Sequence, residues 1–417
     1  MKDNIFSYNR VEDDEKAMVC FLQAVLGISN GDIRKLRDHY GGTRLLKETG
    51  KSVKSELKGR VSDKALILID EAARKGVFES GSFRETYDDL SHAGIGYYIE
   101  GEEDYPVRLT DIGSRPLSLW VRGRLPDDNI PSVAIIGARN CSGYGRQMAR
   151  EWAREIAGAG VQIISGMAYG IDSIAETAAL DAGGSSYAVL GNGVNVCYPK
   201  ENASLYDRTI VAGGIISEYP PDTTPRPQFF PARNRIISGF ADAVIVIEAR
   251  ERSGTLITVN MALNQGRDVY ALPGRVTDSL SYGCNRLIRE GAVPLIRPHE
   301  FLQEFMEQYA VNNSDPKDDS GHINEKTKKN RIHNTLDRKK DGSEGFLTAK
   351  EKMIMKVMDY EPKSISEIYY ELTECGDISE GGNGTVTIEL TELMAVLSDM
   401  TIRHKISCVD GMNYFKG

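Results

Sequence analysis

Val133-Ala134-Ile135-Ile136-Gly137-Ala138-Arg139 decides the fold. Four consecutive apolar residues leave no polar face, so this strand is expected to lie inside a sheet covered on both sides, with Gly137 opening a turn at its carboxyl end. Helical periodicity follows from Arg146 to Ala157, and then the pattern repeats. Val161 to Ile164 leads into Ser165-Gly166-Met167-Ala168-Tyr169-Gly170-Ile171-Asp172 and a helix to Ala182, and Tyr187 to Leu190 leads into Gly191-Asn192-Gly193 and Tyr198-Pro199-Lys200. Gly214 to Ser217 enters an aromatic and arginine-rich loop, Ala243 to Glu248 enters Arg252-Ser253-Gly254-Thr255, and Asp268 to Leu272 enters Pro273-Gly274. This alternation predicts an α/β class, a Rossmann-like doubly wound and mostly parallel sheet. Ligands of such sheets sit outside the carboxyl ends of the strands, where every one of these glycine loops falls and where helix amino termini favour an anion.

Within that region Phe229-Phe230-Pro231-Ala232-Arg233-Asn234-Arg235 combines flat faces, fixed positive charge and amide hydrogen bonds, which are the ingredients for holding a nucleic-acid strand. We read it as a proline-stiffened turn, with Phe230 the better candidate for an outward ring. The net charge of −9 alone argues against such a partner, but it is unevenly distributed. Pro131 to Glu300 holds 16 basic and 16 acidic residues, and fifteen of those 16 bases are arginine, with Lys200 the exception. Arginine forks onto phosphate and stacks on rings, whereas lysine is a hydrated point charge. Ordinary surface ion pairs would give a similar composition.

The flanks divide the chain. Residues 1–82 read as a helical domain, with Ala17 to Leu26, a Gly27 to Gly31 turn and Asp32 to His39 resembling a SAM or helix-hairpin-helix unit; its acidic flanks favour a structural bundle over DNA contact. Residues 83–308 form the α/β domain, whose first part, Phe83 to Gly123, reads as strands and turns on the sheet edge. Polar residues 309–345 are expected to be a flexible linker. Residues 346–417 read as three helices and a hairpin, a winged helix. Glu389, Glu392 and Asp399 on its third helix, expected over Thr387 to Met400, point to protein contact rather than duplex reading.

Several chemistries fit poorly. Arg139 stands where a dinucleotide pyrophosphate needs bare backbone, and G-x-G-x-x-G and Walker A spacings are absent. The six cysteines have no metal-ligand spacing, and His299 is the sole histidine between Pro131 and Glu300, so neither a metal site, a cofactor nor a Ser/His/Asp set is expected. No apolar run is long enough for a membrane span, and acidic residues crowd the first twenty positions, so a soluble cytoplasmic protein is expected. The sharper enzymatic alternative is Ser253-Gly254-Thr255-Leu256-Ile257-Thr258, which resembles the Gly-Gly-x-Gly-Thr-x-x-Glu signature of the phosphoribohydrolase (LOG) enzymes related to lysine-decarboxylase-like proteins. Thr258 stands near the place of their acid, so a phosphate cradle survives without the carboxylate. Glu248, Asp172 and Glu218 remain as acids, better suited to orienting arginines and loop amides.

Taken in order, Gly137-Ala138-Arg139, Ser165 to Asp172, Leu190 to Gly193, Tyr198-Pro199-Lys200, Phe230 to Ile236, Arg252 to Thr258, Gly266-Arg267, Pro273-Gly274 and Gly283 to Ala292 resemble the DNA-processing protein A (DprA/Smf) family. The resemblance implies a cytoplasmic, non-enzymatic homodimer that binds single-stranded DNA without sequence preference and helps load the RecA recombinase in natural transformation. It further implies that Arg139 and Lys200 grip the strand's backbone, with Arg233, Asn234 and Arg235 lining the same pocket. Ala138, where serine is common in the family, removes one hydroxyl donor. The residues themselves suggest phosphates over the amides of the Gly137, Ser165-Gly166 and Ser253-Gly254-Thr255 loops and a base on Phe230.

Overall fold

The computed structural model describes residues 10–40, 57, 59–313, 348–358, 363–374, 393, 396–397, 399–401, 406–409 and 413–415. They fall into two compact units, one ending at Ile332 and one beginning at His333.

The first unit is built on nine strands: β1 (Ile95–Ile99), β2 (Ser118–Gly123), β3 (Ser132–Ile136), β4 (Gln162–Ser165), β5 (Ser186–Val189), β6 (Gly214–Ser217), β7 (Ala243–Val246), β8 (Asp268–Ala271) and β9 (Val293–Pro294). Their spatial order is β1-β2-β6-β5-β4-β3-β7-β8-β9. From β6 to β9 every pairing is parallel, while β1 and β2 join the β6 edge antiparallel. The chain winds from β3 outward to β6, then returns to lay β7 on the other side of β3. The sheet therefore changes winding direction beside β3, the place where such sheets open a crevice.

Side chains alternate faces along a strand, and β3 shows why an all-apolar strand is needed here. Val133 and Ile135 pack with Trp152, Ile156 and Ala153 of α5 (Gly143–Gly158), Ala175 of α6 (Ile171–Asp181) and Phe301 of α11 (Pro298–Asn313). Ala134 and Ile136 enter the opposite core with Ile236, Ile237 and Phe240 of α8 (Phe229–Phe240), Val259 of α9 (Gly254–Asn264) and Leu287 of α10 (Tyr282–Arg289). Each fully buried aliphatic side chain of this kind stabilises by about 1.5–3 kcal/mol. A polar residue anywhere in the strand would forfeit that on one face or the other.

The amino-terminal helices α1 (Arg10–Ala24), α2 (Asn30–Tyr40) and α3 (Asp63–Arg74) share a core with this sheet: Met18, Leu22, Leu36 and Ile69 belong to the same buried cluster as Tyr97, Ile99 and Trp120. The buried amide oxygen of Gln23 fixes the junction by accepting from Tyr97 Oη at 2.5 Å and Ser118 Oγ at 2.7 Å. Two local expectations are corrected. Phe83–His92 is a helix, α4, rather than the start of a strand region, and strands begin only at Ile95. Phe229–Arg235 is the opening of helix α8 rather than a turn; Pro231 is tolerated because the amide it lacks belongs to the first helical turn, where no intrahelical acceptor exists.

In the second unit Thr348 and Glu351 form a reciprocal capping box at α12 (Ala349–Val357), followed by α13 (Ile365–Glu374). β10 (Lys363–Ser364), β12 (Asn413–Phe415) and β11 (Ser407–Val409) make a small antiparallel sheet. Ile354, Ile368, Leu372, Leu393, Leu397 and Tyr414 fill its core. Most of the third helix expected over Thr387 to Met400, including Glu389 and Glu392, lies outside the described residues, as does most of the expected linker. Among the described residues no helix is long and apolar enough to cross a membrane.

Candidate nucleic-acid interface

A cavity of about 600 Å³ opens where the winding reverses. Its wall comes from successive carboxyl-end segments: Gly137 to Asn140 after β3, Ala168 and Asp172 after β4, Tyr198 after β5, Pro227, Phe230, Pro231, Arg233 and Asn234 after β6, and Arg250 and Arg252 to Thr255 after β7. Four arginines (Arg139, Arg233, Arg250 and Arg252) line it against one carboxylate, Asp172. Arg139, Arg250 and Arg252 are exposed and form no salt bridge among the described residues.

Aromatic faces stand beside these charges. The Phe230 ring lies 5.6 Å from the Arg139 guanidinium and 5.6 Å from the Tyr198 ring, whose plane is tilted by 32°. A β-carbon at Gly191 would come within 2.9 Å of the Phe230 ring, so the ring rests on bare backbone. Phe229 turns elsewhere, stacked on Tyr219 at 4.2 Å, and takes no part in the cavity wall.

Arg233 differs from its exposed neighbours. It is only 4% exposed, with Nη1 donating to the Gly166 and Val189 carbonyls and Nε donating to Asn234 Oδ1. Burial lowers its pKa to about 10, opposed by the charges of Asp172 and Glu176. Asp172 is itself buried; desolvation raises its pKa, while Arg233, Arg139 and hydrogen bonds from the Gly137 and Gly166 amides pull the other way. Behind it Glu176 is fully buried, and desolvation together with Asp172 raises its pKa well above the usual carboxylate range, opposed by Arg233 and the Met167 amide.

Of the residues expected from sequence, the cavity brings together Gly137, Arg139, Phe230, Arg233, Asn234, Ser253, Gly254 and Thr255. Ser253 caps α9, its hydroxyl accepting from the Thr255 amide at 3.2 Å, so the helix presents its amino terminus to the cavity. Ser165 and Gly166 are not part of the wall. Ser165 is fully buried and donates to the Ile135 carbonyl at 2.7 Å, and a β-carbon on Gly166 would meet the Arg233 guanidinium at 2.6 Å. The Gly137 and Gly166 loops thus face the internal carboxylate of Asp172, whose pKa their amides lower. Arg235 also lies outside the wall, forked onto Glu218 at 2.7 and 2.6 Å and donating to the Ser114 carbonyl at 2.7 Å. Lys200 is exposed but not in the wall; Tyr198, two residues earlier, takes that place.

Arg250 was missed in the sequence and Arg252 was noted only as part of a motif, although both directly follow β7 and the carboxyl-end rule points to them. Leu280 joins the wall through a contact distant in sequence, its carbonyl accepting from the Ala249 amide at 2.8 Å. The three acids play the orienting part expected of them: Glu218 holds Arg235, Asp172 gathers loop amides, and Glu248 accepts from the Ser142 amide at 2.9 Å and its hydroxyl at 2.5 Å, beside the first turn of α5.

The family model described as DNA recombination-mediator protein A matches residues 97–306. The chain is 38% identical over 271 residues to the DNA processing protein DprA of Streptococcus pneumoniae, covering 62% of this chain and 96% of that one. It is 43% identical over 202 residues to Protein Smf of Escherichia coli, covering 48% of this chain and 54% of that relative. The X-ray structure of DprA from Streptococcus pneumoniae superposes with a TM-score of 0.54 at 33% identity, over 70% of this chain and 98% of that one. The α/β sheet, the ordered loop motifs and these matches together place the chain in the DNA-processing protein A (DprA/Smf) family.

Proposed function

We propose that the cavity at the β3–β7 reversal binds single-stranded DNA without sequence preference, and that the protein acts as a non-enzymatic recombination mediator that protects incoming strands and helps load the RecA recombinase during natural transformation. One observation carries the reading: three exposed arginines that form no salt bridge among the described residues share a wall with the Phe230 ring. Guanidiniums fork onto phosphates whatever the base, and every base has a face to stack, so affinity without sequence preference follows. Recombinase loading and a cytoplasmic homodimer are drawn from family membership, and a protein-contacting winged helix at residues 346–417 from the acidic residues of its expected third helix; together they complete the proposal.

Arg139, Arg250 and Arg252 hold phosphates, with Lys200 at the approach; Gly254 and Thr255 add the amino terminus of α9; Phe230 takes a base; Asn234 offers an amide. Arg233 supports the wall from within. The phosphoribohydrolase alternative is less suited, since the motif position nearest its acid is the buried Thr258.

The test is fluorescence anisotropy with labelled oligothymidine, alongside an assay for release of base from nucleoside monophosphates. Tight, salt-sensitive binding with no turnover supports the proposal. Turnover without binding to the oligonucleotide overturns it.

A further inference from the structure

We propose that a second groove beside the main cavity is a further base-stacking subsite, with Tyr282 as its platform and Arg250 and Arg252 as the bridge along which the strand's backbone passes. The inference rests on the single-strand reading above and extends it to the path of the strand.

The groove encloses about 360 Å³ and is lined by Arg250, Glu251, Arg252, Ser279 and Tyr282. Arg250 and Arg252 belong to its wall and to that of the main cavity, so the two spaces share their cationic partition. Tyr282 is 45% exposed and so offers a ring face to solvent. Its position is fixed by backbone rather than by a mobile loop. The Ala249 amide donates to the Leu280 carbonyl and the Gly283 amide donates back to the Ala249 carbonyl, both at 2.8 Å, which clamps the start of α10 against the segment leaving β7. A β-carbon at Gly283 would come within 2.6 Å of the Ala249 carbonyl oxygen and 2.8 Å of the Arg250 carbonyl oxygen, so Tyr282 is followed by the one residue that allows this approach. Leu280, two residues before Tyr282, already faces the main cavity.

A strand bound by phosphate contacts must continue beyond the first stacked base, and the partition gives its next phosphates two guanidiniums against the single carboxylate of Glu251. An exposed phenol on this backbone-clamped segment at the far side offers the following base a π-face, in the arrangement of charge and ring that sequence-tolerant single-strand sites use. Because the two spaces are joined in series, occupancy of the second requires a chain longer than the first can hold.

The experiment compares labelled oligothymidines of roughly three and roughly twelve nucleotides, lengths chosen within and beyond one such site. Wild type, Tyr282→Ala and Tyr282→Phe are titrated by anisotropy in the full chain. Wild type should bind the longer oligomer more tightly. Tyr282→Ala should lose about tenfold or more on the longer oligomer and stay within about twofold on the shorter, and Tyr282→Phe should restore the difference, since the ring and not the hydroxyl stacks. Equal affinity of wild type and Tyr282→Ala for both lengths overturns the subsite while leaving the main cavity intact. Failure of wild type to bind either oligomer overturns both readings.

Discussion

Charge at the cavity wall makes a quantitative prediction about salt. Arg139, Arg250 and Arg252 are exposed and form no salt bridge among the described residues, whereas the guanidinium of Arg233 faces Asp172 and that of Arg235 is forked by Glu218. Each phosphate neutralised on a single strand contributes about 0.7 to the negative slope of log K against log salt, so three free guanidiniums give a slope of about −2 and Lys200, if it reaches the backbone, takes it toward about −3. With a slope of about −2, raising salt from about 50 to about 200 mM weakens binding roughly 20-fold. Arg139→Ala removes one contact: the slope should become shallower by about 0.7. A charge-assisted phosphate contact of about 1.5–3 kcal/mol should cost about tenfold or more in affinity at low salt.

The assay is anisotropy of labelled oligothymidine across a salt series for wild type, Arg139→Ala and the triple variant in which Arg250 and Arg252 are also alanine, with Arg208→Ala as control. Arg208 pairs with Asp181 at 2.6 Å on helix α7 (Ala203–Ala212) and lines no part of the cavity, so its loss should leave slope and affinity nearly unchanged. A triple variant that folds, as its thermal transition would report, and keeps the wild-type slope would refute the assignment of these arginines to the strand's backbone.

Other outcomes follow from the same geometry. Phe230→Ala should weaken oligothymidine binding by about 1–3 kcal/mol with little change in salt slope, because it removes stacking and no charge; a changed slope with unchanged affinity would reverse that assignment. Gly166→Ala places a β-carbon under 3 Å from a guanidinium anchored on two carbonyls and should destabilise the fold by about 1–3 kcal/mol in denaturant titration, where no loss would mean Arg233 can swing aside. Glu176 has a folded-state pKa well above its ordinary 4.5, so the folded chain retains a proton that the unfolded chain releases, and stability is lost as pH rises from about 4.5 toward the folded value. Glu176→Gln should therefore flatten that fall and raise the melting temperature near neutral pH; an unchanged profile would mean the buried carboxyl ionises normally. For Asp32 burial is outweighed by hydrogen bonds from Ser62 and Ser29, which lower its pKa below 3.8; the stability it contributes is present above that value and lost on acidification through the folded pKa. Asp32→Asn should flatten that acid limb, as acid-induced unfolding followed by circular dichroism would show.

The sheet was legible because its signal is local. Val133 to Ile136 sends apolar side chains alternately to the two faces, and an uninterrupted apolar run next to a glycine has few other uses. Helix α8 was obscured by Phe229-Phe230-Pro231, since aromatics and proline are turn or strand signals when helix phase is unknown, and Gln228 before them supplies no side-chain cap. The arginines were the harder problem. Arg233 and Arg235 are two residues apart and equal in composition, yet one is buried against Gly166 and Val189 and the other is forked onto Glu218. Their partners lie 67, 44 and 17 positions away, so no window of sequence around them distinguishes a supporting guanidinium from one presented to a ligand. Arg250 and Arg252 were accessible to reasoning from topology alone, because a segment leaving the strand beside the winding reversal has to face the crevice.

The buried Asp172 gives that reversal its character. In a sheet that binds one nucleotide, the amides after the first strand are left bare so that a phosphate can approach them. Here the Gly137 and Gly166 amides face an internal carboxylate, and Arg233 opposes its charge from within. On the proposed single-strand reading, an incoming phosphate would meet Arg139, Arg250, Arg252 and the amino terminus of α9 rather than these amides. A single phosphate in a closed nest gains from many amides at once, whereas guanidiniums spaced along a wall gain most from a ligand that brings several phosphates in series. On the proposed reading, a carboxylate in that position would lower what a mononucleotide can gain and leave a polymer's gain intact, a physical reason for this site to favour a strand over a monomer.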